Sequence, residues 1–225
     1  MNVLAIETAT TACAVGLRTR DGFEVGWIVD EDRHHTETLT SSIARLLRQS
    51  DMTARDLDRV VVDRGPGLYT GLRVGLATAI GLSQGVGCAL VGVTSLELLA
   101  RGAYDTGTRG TLVCAVDGRR GEVFVQSFRL AETIVALSEP VVATPRAVAI
   151  EWATRGAPVT FTGDGVARYR SDFAAVPNGS FDDQLVPSVA AALELATTRE
   201  VADHVTALYL READAVANFS TRQRP

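Results

Sequence analysis

The chain has 225 residues, 46% hydrophobic and 6% aromatic, with a formal net charge of −5. That is enough apolar material to bury a core and excludes a disordered chain; the length fits one large domain or two small lobes, built mostly from Ala, Val and Leu. All 22 basic residues are arginine, so a P-loop ATPase, a pyridoxal-phosphate enzyme and a protein kinase, each of which needs a lysine, are excluded, and the acidic balance argues that any nucleic acid is held by a partner.

Residues 2–9 (NVLAIETA) read as a buried strand, 12–17 as a second, and 23–29 as a third entered through an Asp21-Gly22 hairpin signal. A helix follows over 36–49, with Thr36 as its expected N-cap and Leu39, Ile43, Leu46 and Leu47 along one stripe. Thr53 and Asp56 have the spacing of a capping box and open a short helix before a strand at 57–62. The next helix runs from Thr70, its expected cap, to about Gly85, with Gly71/Gly75 and Ala77/Gly81/Gly85 at four-residue spacing. Glycine inside a helix costs about 1 kcal/mol against alanine, so close packing is expected to offset that loss and this helix should be deeply covered. A strand at 90–93 and a helix at 95–101 complete a mixed sheet with crossover helices. The uncharged stretch from Val74 to Leu96 has the length of a membrane span, but its glycines, its Gln84 and its division into helix and strand assign it to a core.

A polar stretch at 105–110 breaks the pattern, after which 111–116 and 122–128 form a hairpin across Asp117–Gly121. Further on, 159–162 reads as a strand, 176–183 as a polar loop and 188–197 as an apolar helix. The expected division is a first lobe of 1–104, with 205–225 packing back on it, and a second lobe of 105–204. Cys13, Cys88 and Cys114 each sit in an apolar run and read as buried thiols of a reducing compartment. No signal peptide is expected, because the first residues enter a strand directly.

Few residues carry chemistry. His34, His35 and His204 are the histidines, and adjacent histidines cannot both face one ion from a regular strand, so no metal site is expected. No GxSxG elbow and no Cys with a nearby His is present. Glu7 and Asp117 each end the opening strand of a lobe; they either flank a cleft for a metal-nucleotide or cap their own turns. The loop Gly65-Pro66-Gly67-Leu68-Tyr69-Thr70-Gly71-Leu72-Arg73 has three readings: an anion site at a helix start, a chain-reversing turn, or a display of Tyr69 and Arg73 to a partner.

LAIETATTACAVGL at the N-terminus, GPGLYTGLR, GVTSLELLA, DGRRGEVF, GDG at 163–165 and YLR at 209–211 resemble, in this order, the TsaB (YeaZ) family. The likeness covers most of 2–128 and then thins. It implies an α/β, two-lobed actin-like, ribonuclease-H-like fold of the sugar kinase, heat-shock ATPase and actin (ASKHA) superfamily, with mixed sheets and crossover helices. It also implies a cytoplasmic, cofactor-free, non-catalytic subunit of the bacterial machinery that places threonylcarbamoyl on tRNA adenosine. The catalytic sibling, TsaD, carries a metal-binding histidine pair four residues apart, which nothing here matches. The resemblance implies pairing with TsaD through helices 36–49 and 70–85, the expected contacts being Leu39, Ile43, Leu47, Tyr69, Thr70, Arg73, Ala77 and Ile80. TsaE completes the complex, tRNA is engaged only through it, a homodimer forms when the chain is alone, and no membrane is involved. Glu7, Thr8 and Asp117 would mark a vestigial nucleotide cleft. The family often has Asp where Glu7 stands, Ser-Phe where Leu68-Tyr69 stands and Pro before the late Tyr-Leu-Arg; the extra methylene of Glu7 moves its carboxylate by about 1.5 Å on ordinary bond lengths, against a nucleotide role. Two rivals are an active Mg-ATP phosphotransferase using Glu7 and Asp117, and a peptidase.

Overall fold

The computed structural model describes residues 1–29 and 35–211; the side chains at 27–29 and 35–37 lie outside that description. β1 (Val3–Glu7) pairs antiparallel with β2 (Cys13–Arg18), and β2 with β3 (Glu24–Val29). α1 (His35–Gln49) and a 3₁₀ turn at Ala54–Asp56 lead to β4 (Arg59–Asp63), parallel to β1. The Thr53 backbone N–H donates to Asp56 Oδ2 at 2.7 Å, the expected box. α2 (Tyr69–Val86) crosses over to β5 (Ala89–Val93), parallel to β4, giving the strand order β3-β2-β1-β4-β5.

β1 is buried along its whole length because helices cover both faces of this sheet. Strand alternation sends Leu4 and Ile6 to one side, where Leu39, Leu46, Leu76 and Ala79 of α1 and α2 meet them. Val3 and Ala5 point to the other side, against α3 (Ser95–Asp105) through Leu98.

The second sheet begins with β6 (Gly110–Arg119) and β7 (Glu122–Leu130), joined at Arg120-Gly121. β8 (Ile134–Ala136), β9 (Val141–Ala143), α4 (Pro145–Arg155), β10 (Val159–Thr162), α5 (Asp164–Arg168), α6 (Arg170–Phe173) and β11 (Gly179–Phe181) follow. The order is β11-β10-β6-β7-β8, with β9 also on β7. α3 lies between the sheets: Leu98 packs on the first, while Leu96, Leu99 and Ala103 pack against Leu112, Phe124 and Phe128 of the second.

Four expectations change. α7 (Val189–Thr198) falls inside the stretch assigned to the second lobe, yet Ala191, Ala192, Leu193 and Ala196 fill the Val3/Ala5 side of the first sheet. Its small side chains suit that shallow surface, since a Cβ on Gly16 would already stand 3.2 Å from Val189. The polar loop at 176–183 contains β11, held in register with β10. Leu68, not Thr70, is the N-cap of α2, and no side chain closes that cap. The outer side of α2 is open rather than deeply covered: a Cβ on Gly81 or Gly85 would meet nothing within 4 Å. The Thr36 cap and any role of the His34–His35 pair lie outside the described residues and side chains. Among the described residues no helix is long and apolar enough to cross a membrane.

Candidate functional site

Most of the residues singled out by the sequence fall in two regions: the buried strand-end acids, and the outer face of α2. The pairing of Ile6 with Val62 sets Glu7 beside Asp63 at the ends of neighbouring parallel strands. Both are fully buried. Glu7 Oε1 accepts from the backbone N–H of Ala9 at 2.8 Å and of Thr10 at 3.2 Å. Asp63 Oδ1 accepts from Gly65 N–H at 2.8 Å and from the Ser95 hydroxyl at 2.9 Å. Glu7 Oε2 and Asp63 Oδ2 have no hydrogen-bond partner. Burial pushes the Asp63 carboxyl up to about 7. Burial, and then the charge of Asp63, hold Glu7 well above the ordinary carboxylate range.

The second sheet and the helix after β10 contribute Asp117 from β6 and Asp164 from α5. The Asp117 backbone N–H donates to Asp164 Oδ1 at 2.9 Å. The Asp117 carboxylate accepts from the Arg119 backbone N–H and guanidinium, each at 3.0 Å, and Arg168 Nε lies 3.5 Å away. Burial raises the Asp164 carboxyl, and its charge adds a little to the raising of Glu7.

One oxygen of each of Glu7 and Asp63 caps its own turn, and Asp117 is ion-paired to two arginines. Thr8 is spent as well, since its hydroxyl donates to the Gly71 carbonyl at 2.8 Å. α2 lies so close there that a Cβ on Gly71 would stand 2.0 Å from the Thr8 carbonyl oxygen, and one on Gly75 2.2 Å from Thr8 Oγ1. At the helix start the Leu68 N–H donates to the Ala9 carbonyl at 2.6 Å, and no side chain caps the N–H groups that follow it. Among the described residues no three His, Cys, Asp or Glu side chains are grouped to hold a metal ion. Asp63 and Asp164 escaped the sequence reading; the available signals were an acid closing the apolar run VVVD and an acid inside GDG.

The outer face of α2 is built differently. Thr70, Arg73, Ala77, Gly81, Gln84 and Gly85 are exposed along one stripe, with Tyr69 39% exposed at its head. Ile80 is half-buried at the edge of the first core. Leu39, Ile43 and Leu47 are not on this surface: their exposures are 0%, 4% and 6%, and they pack on Leu4, Ile6 and Val15. Those three expected contacts are therefore withdrawn, because the apolar stripe of α1 covers its own sheet. Tyr209, from the late tail segment, joins the patch with its ring centroid 5.4 Å from that of Tyr69.

The family profile described as "TsaD: tRNA N6-adenosine threonylcarbamoyltransferase" matches residues 29–219. The tRNA threonylcarbamoyladenosine biosynthesis protein TsaB of Escherichia coli is 35% identical over 124 residues, 55% of this chain and 53% of that protein. The chain thus spans about half the length of the curated relatives it matches. A Pseudomonas aeruginosa crystal structure, described as an uncharacterized protein with similarity to peptidase YEAZ, superimposes with a TM-score of 0.82 at 26% identity, over 93% of this chain and 99% of that one. A Bacteroides thetaiotaomicron protein with an actin-like ATPase fold superimposes with a TM-score of 0.51 at 9% identity, over 85% of this chain and 95% of that one, a likeness of fold alone. The two sheets and their crossover helices are therefore an α/β actin-like fold.

Proposed function

The chain belongs to the TsaB (YeaZ) family, and from that premise we propose that it is a non-catalytic, cytoplasmic subunit that docks on TsaD and supports threonylcarbamoyl transfer to tRNA adenosine. The docking face is the outer stripe of α2, with Tyr69, Thr70, Arg73, Ala77 and Ile80. TsaE joins the larger assembly, tRNA is engaged through the complex, and the same face pairs two copies when the chain is alone. Residues 1–104 with 189–211 form the docking lobe, and 105–188 the second lobe.

One observation carries this reading. Gly81 and Gly85 sit inside α2 where nothing among the described residues would meet an added Cβ within 4 Å, so no packing among those residues offsets their helix penalty. With Ala77 they leave a strip without bulk, on which a second helix can lie at the short end of interaxial distances. Glu7 and Asp63, by contrast, are buried on their own turns and Asp117 is ion-paired to Arg119 and Arg168, which speaks against their gripping a metal-nucleotide.

The test is sedimentation of the chain with TsaD, alongside calorimetry of the chain with Mg-ATP. A single species heavier than either protein, with no heat of nucleotide binding, is the expected result. Independent sedimentation, or tight Mg-ATP binding by the chain alone, would favour the phosphotransferase reading instead.

A further inference from the structure

The head of α2 carries an arginine that its neighbours aim outward. The Arg73 guanidinium carbon lies 3.8 Å from the centroid of the Tyr69 ring, one helical turn back. Its Nε donates to the Tyr209 hydroxyl at 3.4 Å, and the Tyr209 ring leans on Tyr69. Tyr209 is itself fixed on both sides. Leu208 N–H donates to the Arg64 carbonyl at 2.7 Å, and Arg211 binds Glu122 at 2.8 Å and the Gly118 carbonyl at 3.2 Å on the β6–β7 hairpin. One face and the Nε edge of the Arg73 guanidinium are thus occupied, while its two Nη nitrogens make no hydrogen bond or ion pair among the described residues. Arg18, Arg101, Arg119, Arg155, Arg199 and Arg211 all differ in pairing with a carboxylate of their own chain.

We propose that Arg73 is the electrostatic anchor of the docking face: a carboxylate side chain of the protein partner accepts from both Nη donors side by side, next to the strip of Ala77 and Gly81. This rests on the reading of α2 as the docking face and adds the chemistry of the group that faces it. A guanidinium held by stacking is pre-organised for such two-pronged pairing. The charge pattern selects a single carboxylate over a nucleic-acid backbone. Along α2 itself the guanidinium stands alone, since no charged residue follows Arg73 until Glu97, and one cation is matched by one carboxylate. Tyr209, from the late Tyr-Leu-Arg motif, is a positioning residue for this contact.

The affinity of the full chain for TsaD, measured at low and high salt, tests the proposal. Arg73→Glu should weaken binding by about 30-fold or more and remove most of the salt dependence, with an unchanged melting temperature because the side chain is exposed. Arg73→Lys should fall between the two, and Tyr209→Phe, which keeps the ring and loses the hydroxyl, should weaken binding only a few-fold. An Arg73→Glu chain that binds within about threefold of wild type overturns the anchor and leaves the docking face standing. An Arg73→Lys chain equal to wild type overturns the two-pronged geometry. A loss seen only in tRNA binding, with TsaD affinity intact, overturns the choice of a protein carboxylate. A wild-type chain that does not bind TsaD overturns the docking reading and this inference together.

Discussion

Ala77→Arg abolishes the pairing with TsaD and leaves the melting temperature of the isolated chain within a degree or two. Ala77 is exposed in the middle of the α2 stripe and is not among the buried residues of that helix. A guanidinium there holds an approaching helix away from the strip and strands a charge in the joint. An uncompensated buried charge costs several kcal/mol, which is a loss of at least about 100-fold in affinity. Gly81→Ala separates stability from docking in a second way. Its new methyl meets nothing within 4 Å in the isolated chain, so the helix gains up to about 1 kcal/mol; in the complex the same methyl occupies the space of the partner helix and weakens binding. Differential scanning calorimetry and an affinity measurement on both variants check the pair of effects. Unfolding of Ala77→Arg would mean that the methyl belongs to the core, and undiminished co-elution would move the interface elsewhere.

The second large effect is a loss of stability on raising the pH. Asp63 is buried with a carboxyl at about 7 against an ordinary 3.8, and Glu7 is raised beside it. The folded state therefore keeps a proton that the unfolded chain releases. Stability from this source is complete below about pH 4 and declines as the pH rises from there through about 7. Between pH 5 and 8 the melting temperature therefore falls. Asp56 and Asp58 are held below the carboxylate range by backbone donors, so their contribution disappears only at more acid pH. Asp63→Asn keeps an oxygen for Gly65 and Ser95 and offers an amide to the side where Glu7 Oε2 lacks a partner. It flattens the profile and melts above wild type at pH 8. Thermal scans of both proteins from pH 5 to 8 decide this; a flat wild-type profile would show that the two acids do not share a proton-retaining interior.

Much of the first lobe could be read from the residues. β1 is an uninterrupted apolar run because helices cover both of its faces, and the Asp21-Gly22 and Thr53/Asp56 signals act through local hydrogen bonds that sequence spacing specifies. The four-residue glycine spacing of α2 was legible too, but its two halves mean opposite things. Gly71 and Gly75 are required by the Thr8 carbonyl and hydroxyl beneath them, whereas Gly81 and Gly85 face open space. Periodicity marks which side of α1 is apolar and is silent on what covers it, which is why Leu39, Ile43 and Leu47 were placed at an interface although the sheet buries them.

The second lobe was harder for physical reasons. β8, β9 and β11 have three residues each, too few for alternation to register. α4 did announce itself, through Thr144 as cap and Pro145 in the first turn, a signal the reading passed over. α7 looks like any apolar helix; its return to the first sheet is set by contacts with strands more than 90 residues earlier in the chain. The buried acids show the same limit. Glu7 and Asp117 were visible as strand-end acids, but their partners Asp63, Asp164 and Arg168 come from other strands and helices.

Hydroxyl-radical footprinting of the chain with and without TsaD addresses the central claim most directly, because it reports which exposed side chains the partner covers. Tyr69 and Tyr209, 39% and 47% exposed, flank the α2 strip, while Leu137 and Ile150, 48% and 58% exposed, lie on the second lobe. Protection of the two tyrosines with unchanged labelling of Leu137 and Ile150 is the predicted result. A complex in which both tyrosines remain as reactive as in the free chain would contradict it.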